Sequence, residues 1–461
     1  MKRVRIEALS GYPVEDEESD LVYFSRTELE SRLHALLELM HQRGVTHAVV
    51  YGDREHFANL EYLTGFDPRF EESLLILESS GRLTLLLGNE CYGYSQVSPL
   101  NLNRVLFQDF SLQGQPRDNS NELGDILSEC GIRLGSRVGL IGFKYYRDSR
   151  SSDIPSYIVD EIRCLVGSPN AFNFTDALTH LDYGLRLRIR TASEVAYFEN
   201  AANRTSSVVR NIINSLMPGI TELEASRQAR YDASPISMFP IVNFGDTNVK
   251  LGLRSPGQRE LRMGDPVTIC YAIRGSLVAR SGLAAYSRED LRGLLHGAIE
   301  DFYFPYFRGI SGWYESLEIG ASGGDIYAGV MDVLGDHERF GLYLNPGHHI
   351  ATDEWVNSPF FAGSPHHVQP GHYLQCDIIA ARSNPFLQAI VEDGVIIADA
   401  ALQTELTRDY PKVASRIARR RVFMRETLGI EIGESVLPLS NIPAVCYPYM
   451  FDSHTVLTMR G

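Results

Sequence analysis

Hydrophobic positions along this chain repeat at two different periods, and the switch between them marks its elements. Leu29, Leu33, Leu36, Leu37 and Met40 recur three or four residues apart, which predicts a helix. Ser25 and Glu28 stand three apart at its start, the spacing of a capping box, and Gly44 ends it. Thr46–Asp53 then reads as a strand and turn, and Glu72–Gly88 as two strands around Ser79-Ser80-Gly81. Helix, strand and further strands in this order predict an α/β unit over roughly residues 25–180, behind a polar lead-in at residues 1–24.

A second unit begins where the pattern turns helical again. Thr191 and Glu194 repeat the capping spacing, and Val195, Phe198, Ala202, Val208 and Ile212 continue an apolar face as far as Pro218-Gly219. Thr221 and Glu224 open another capped helix. GDPVTICYAI and GSLVAR read as a β-hairpin, RGLLHGAIEDFYFPYF as a helix, and YLNPGHHI, HYLQCDIIA and LQAIVEDGVIIAD as strands or strand ends. A basic helix, YPKVASRIARRRVFMRETLG, and an irregular apolar ending follow. The change of pattern sets the expected domains at residues 1–183 and 184–461, of mixed α/β class.

Composition narrows the function classes. Hydrophobic residues make up 44% of the 461 positions, which supports a buried core and excludes a disordered chain. The net formal charge of −15 disfavours bulk nucleic-acid binding, although a local basic patch stays open. The six cysteines are scattered without a CxxC pair, so no zinc ribbon, iron–sulfur cluster or disulfide framework is expected. Neither a signal peptide nor an uncharged apolar stretch of membrane-spanning length is found. A cytoplasmic protein without membrane or nucleic-acid partners is the simple expectation. The ARRR run at 418–421 reads as a solvated helix face or as a contact for an anion or partner. The aromatic cluster Phe302, Tyr303, Phe304, Tyr306, Phe307, Trp313 and Tyr314 reads as core or dimer surface, or in part as a pocket wall.

Seven motifs of the second half resemble, in order, those of the creatinase/aminopeptidase P/methionine aminopeptidase superfamily. They are LRIRTASEV at 187–195, LMPGITELEA at 216–225, FPIVNFGD at 239–246, MGDPVTI at 263–269, PGHHI at 346–350, QPGHYLQCD at 369–377 and VEDGVII at 391–397. GDREHFANLEYLTGFDPRFEE at 52–72 resembles the superfamily's amino-terminal domain. The resemblance implies a pita-bread carboxy-terminal domain behind a smaller α/β domain, a homodimer and a small-molecule substrate.

It also implies a site, and this chain departs from it. The superfamily's peptidases hold two divalent metals with two Asp, one His and two Glu. The matching positions here hold Cys270, Ser281, His348, Asp377 and Glu392. The two further histidines of the pattern are missing. Two adjacent cations need carboxylates, one of them bridging, to offset their repulsion. Serine supplies no charge, and thiolate suits neither Mn nor Mg. No metal or one divalent ion held by His348, Asp377 and Glu392 is therefore expected, and a dinuclear centre is not.

Three functions stay open. One is a metal-free hydrolase or lyase acting on a C–N bond of an amino-acid-derived molecule, with His348 as acid/base and Asp377 and Glu392 orienting it or neutralising substrate charge. The second is a mononuclear metallohydrolase resembling the Xaa-Pro peptidases. The third is a binding protein without catalysis. Cys270 is either a nucleophile paired with His348 or an inert core thiol. Ser281 is a pocket donor or a turn residue. His349, His366 and His367 are candidates to line the cavity, while His372 is expected to support packing.

Overall fold

Ser25 caps the helix Arg26–Arg43 as its spacing predicts. Its hydroxyl accepts from Glu28 N–H, and the Glu28 carboxylate accepts from Ser25 N–H. Thr191 and Thr221 cap the helices Ala192–Asn214 and Glu222–Arg227 in the same reciprocal way. The computed structural model describes residues 2–15 and 21–461. It divides into two units, residues 23–187 and residues 1–22 with 188–461. The expected mixed α/β class holds for both. Residues 16–20, within the expected lead-in, lie outside the described residues.

That lead-in is not wholly irregular. A strand, β1 (Arg3–Ala8), pairs antiparallel with the last strand of the chain along its whole length. Its partner lies some 450 positions away and no turn joins the two, so a local reading of RVRIEA has nothing to recognise.

The unit at 23–187 is built on a mixed sheet. Its strands are β2 (His47–Gly52), β3 (Ser73–Glu78), β4 (Leu83–Leu87), β5 (Asn103–Leu106), β6 (Val138–Ile141) and β7 (Ala171–Asn173), in the order β5-β4-β3-β2-β6-β7. Alternation places Ala48, Val50, Leu75 and Leu85 in one core and Val49, Leu74, Ile76 and Leu86 in another, so helices cover both faces.

The other unit carries β8 (Ile236–Phe244), β9 (Pro266–Ile273), β10 (Ser276–Leu283), β11 (His348–His349), β12 (Tyr373–Cys376), β13 (Ala380–Ser383), β14 (Phe386–Ala389), β15 (Val391–Ile397), β16 (Val436–Pro438) and β17 (Thr455–Arg460). Its main sheet runs β11-β12-β15-β10-β9-β8, with β16 paired to β15. The neighbours are antiparallel, and the sheet curves into a pita-bread half-barrel. One face packs Val242, Ile269, Tyr271, Val278 and Val391, and the other packs Ile241, Cys270, Leu277, Ala279 and Ile396. The β9–β10 hairpin turns on Arg274-Gly275. Gly275 has φ +96°, and a Cβ there would sit 3.1–3.3 Å from Tyr197, Phe198 and Ala201 of the long helix. Both facts demand glycine.

Two segments differ from the pattern. The helix expected across RGLLHGAIEDFYFPYF is a 3-10 turn at Gly293–Leu295, a π-turn at Ile299–Tyr303 and an α-helix at Phe304–Glu315. Pro305 lacks the N–H that a continuous α-helix would use, so the register resets before it. The ARRR run is not one solvated face. Arg420 is fully buried and pairs with Glu199 and Asn441, whereas Arg419 is exposed.

Candidate active site

Strand register brings the candidate residues onto one sheet face. Cys270 of β9 stands opposite Ala279 of β10, and Ala279 opposite Glu392 of β15. Cys376 of β12 pairs with Asp393, so Asp377, the next residue, lies across from Glu392. His348 of β11 pairs with Gln375, two positions from Asp377 and on the same face. Gly347 makes that approach possible. Its φ is +114°, and a Cβ there would stand 2.6 Å from the Gln375 carbonyl.

The result is a tight, buried cluster. His348 Nε2 lies 3.8 Å from Asp377 Oδ2 and 3.8 Å from Glu392 Oε1. Among the described residues this is the one group of three His, Cys, Asp or Glu side chains whose ligand atoms lie within 4.8 Å of one another, and all three are buried. His348 Nδ1 lies 3.0 Å from the His349 carbonyl. A carbonyl only accepts, so Nδ1 carries the proton and Nε2 presents its lone pair to the two carboxyls. Asp377 Oδ1 is buried without a hydrogen-bond partner.

Burial sets the charge states. Desolvation, then the nearby Glu392, pushes the Asp377 carboxyl up to about 8. Desolvation pushes Glu392 up to about 8, partly offset by Gln375. Burial also lowers His348, against the pull of Asp377, and keeps its imidazole neutral. Without a cation the cluster therefore holds its protons, and a bound cation would displace them.

One tyrosine braces both carboxylates. Tyr306 Oη donates to the Ile378 carbonyl at 2.8 Å and accepts from Val391 N–H at 2.7 Å. Ile378 follows Asp377, and Val391 precedes Glu392. Behind the sheet, Arg280 and Asp393 form an ion pair with both side chains 1% exposed. Arg280 also donates to the Glu392 carbonyl at 2.9 Å. The sequence reading missed this pair. An arginine inside VARSG, between strand residues that must be buried, was the available signal, because a buried guanidinium requires a partner.

The remaining candidates are placed differently. Cys270 shares the face, but Ala279 stands between it and Glu392, a separation of two strand spacings or about 10 Å. Burial and the two carboxyls hold it as a thiol, well above the ordinary range, so it is not an activated nucleophile. Ser281 Oγ lies 2.8 Å from the Val267 carbonyl and 3.1 Å from Thr268 Oγ1, and Thr268 donates to Gln388. It is a buried member of a hydrogen-bonded trio beside the site. His349 projects from β11 to the face opposite His348 and packs edge-to-face on His372 at 4.5 Å. His366 N–H donates to Ser364, its carbonyl accepts from Gly323, and His367 Nδ1 lies 3.0 Å from the Gly320 carbonyl. Both thus tie their loop to the start of the helix Gly323–Leu334.

One divalent ion fits His348, Asp377 and Glu392: three converging donors, the correct imidazole tautomer, and an unpaired carboxylate oxygen. A pair of ions does not fit, because the positions that should add two carboxylates hold a protonated thiol and a serine bonded elsewhere.

No protein-family model matches the chain, and no curated protein matches it in sequence. Solved structures do share its fold. An Xaa-Pro dipeptidase from Bacillus anthracis is 13% identical, with a TM-score of 0.61 over 81% of this chain and 96% of the other. A dipeptidase from Mycobacterium ulcerans is 18% identical, with a TM-score of 0.61 over 81% and 94%. A prolidase from Thermococcus sibiricus is 18% identical, with a TM-score of 0.62 over 81% and 96%. No helix among the described residues is long and apolar enough to cross a membrane.

Proposed function

We propose that this cluster is the active site of a hydrolase or lyase acting on a C–N bond of a small amino-acid-derived molecule. The convergence of His348 Nε2 with Asp377 and Glu392 in a buried cluster carries the reading. Burial strengthens every charge interaction there. His348, with Nδ1 fixed to a carbonyl, takes a proton at Nε2 from the water that adds to the carbon (hydrolysis) or from the neighbouring carbon as a double bond forms (elimination), and gives it to the nitrogen as the C–N bond breaks. The deprotonated forms of Asp377 and Glu392, which predominate above about pH 8, stabilise the imidazolium formed in that step.

A second reading is favoured by the unpaired Asp377 Oδ1. In it His348, Asp377 and Glu392 hold one divalent ion. When bound, that ion would polarise a carbonyl oxygen as a Lewis acid. Both readings use the same side chains, and elemental analysis separates them. Protein purified without chelator is expected to carry at most one divalent ion per chain, and two would overturn the ligand argument.

Turnover of a panel of small amides, imino-acid dipeptides and amidines tests catalysis. Activity is expected to fall by at least about a hundredfold in His348→Ala, the usual size of an acid–base contribution. Equal turnover in wild type and variant would remove His348 from the mechanism, and no turnover with retained ligand binding would favour a binding protein. We also propose a homodimer, so light scattering should give twice 51.6 kDa.

A further inference from the structure

A cavity of about 420 Å³ lies at the far end of the strands that deliver Asp377 and Glu392. That volume falls in the range of small-molecule sites, roughly 300–1,000 Å³. Gly371 on its wall precedes Asp377 along one strand, and Asp399 follows Glu392 along the other. At the rise of extended chain, the cavity stands about 20 Å from both carboxyls of the buried cluster. It is open to solvent, because Arg190 and Asp399 on its walls are exposed.

Its two sides carry opposite charge. Ile189 N–H donates to the Gly371 carbonyl at 2.8 Å, which sets Arg188 and Arg190 along one wall. Arg188 donates to Gln369, whereas the Arg190 guanidinium has no partner among the described residues. The start of the helix Ala400–Asp409 brings Asp399 and Glu405 to the other wall. Each of these carboxylates uses one oxygen at a helix start. Asp399 Oδ1 accepts from Leu402 N–H at 2.9 Å, and Glu405 Oε1 accepts from Ala192 N–H at 3.2 Å. Among the described residues the second oxygen of each has no hydrogen-bond partner, and neither carboxylate is ion-paired with Arg190. Pro370 and Leu402 add apolar surface between the walls. Opposite charges that face one cavity without closing on each other match a ligand that carries both signs. A lone cation would meet the guanidiniums, and a lone anion the carboxylates.

We propose that this cavity binds a free apolar amino acid as its zwitterion. Arg190 holds the carboxylate, for which the planar guanidinium fork is the matching donor. Asp399 and Glu405 accept from the ammonium through their spare oxygens, and the side chain lies on Pro370 and Leu402. The site is separate from the His348 cluster and does not rest on the chemistry proposed there.

The experiment is calorimetric titration of the full chain with L-leucine, with 3-methylbutylammonium, which lacks the carboxylate, and with 4-methylpentanoate, which lacks the ammonium. Saturable binding at millimolar concentration or below is expected for leucine and for neither analogue. Arg190→Gln should weaken leucine binding about tenfold. Asp399→Asn and Glu405→Gln should each weaken it by a similar factor. These two changes remove charge but keep an oxygen for the Leu402 and Ala192 N–H groups, so both helix starts stay capped. Glu392→Gln should leave leucine affinity unchanged. Absence of saturable leucine binding, or equal binding of either analogue, would overturn the proposal. Unchanged affinity in Arg190→Gln, or in the chain carrying both acidic substitutions, would do the same. So would loss of binding in Glu392→Gln with none in Arg190→Gln, because leucine would then occupy the buried cluster.

Discussion

The two raised carboxyls give the metal-free chain an unusual stability profile. Asp377 and Glu392 are both pushed up to about 8, against about 4 in an unfolded chain. Between those limits the folded state keeps protons that the unfolded state has lost. Their contribution is therefore full below about pH 4 and drains away as pH rises through 8. His372, pushed down to about 3 by burial, works in the opposite sense. Below about pH 6.5 the unfolded chain gains a proton that the folded chain refuses, so stability falls on acidification. Above pH 6.5 only the carboxyl effect remains of the two. Chelator-treated protein should accordingly lose melting temperature from pH 6.5 to 8.5, and Glu392→Gln should remove roughly half of that slope. Calorimetry in matched buffers checks this, and an unchanged slope in the variant would contradict it. A divalent ion should raise the melting temperature more at pH 8 than at pH 6, because fewer protons remain to be displaced.

At the scale of elements, the site depends on bonds that join strands. β10 and β15 share only two register pairs, and Arg280 supplements them from behind. Arg280→Met would leave Asp393 charged and buried, at a cost of about 3–5 kcal/mol, whereas Arg280→Met with Asp393→Leu should recover most of it. Denaturant unfolding of the single and double variants tests the pair, and a double variant as weak as the single would refute it. Tyr306→Phe would leave Val391 N–H and the Ile378 carbonyl unpaired, costing about 1–3 kcal/mol. It should weaken divalent-ion binding as well, because both carboxylate-bearing segments lose their common brace. Here the limits of sequence reading are concrete. Caps at Ser25, Thr191 and Thr221 depend on spacings of three residues and are legible. His348, Asp377 and Glu392 are legible through motif resemblance, and register explains their convergence. Tyr306, Arg280 and the Arg420–Glu199 pair act on partners dozens to hundreds of positions away, and periodicity carries no trace of such contacts. His349 shows the converse error. Adjacent strand residues point to opposite faces, so two neighbouring histidines could not both face the site.

Over the whole molecule, chain order and folding unit do not coincide. The chain forms β1, leaves for residues 23–187, and returns at 188 to complete the unit that β1 belongs to. The excursion is continuous and has its own sheet with a core on each face. Its length falls in the ordinary range of domains that fold alone. The surrounding unit is discontinuous: removing residues 1–9 would strip β17 of its one ladder partner among the described residues and leave an exposed strand edge. The two units should therefore respond differently to truncation. A fragment of residues 23–187 is expected to unfold cooperatively by itself. Deletion of residues 1–9 from the full chain should lower the melting transition of the unit that contains residues 188–461 and leave that of residues 23–187 unchanged. Calorimetry resolves the two transitions, with the isolated fragment identifying its own. A fragment that never unfolds cooperatively, or a deletion that lowers both transitions equally, would mean that the chain folds as a single cooperative block and that β1 does not belong to one unit alone.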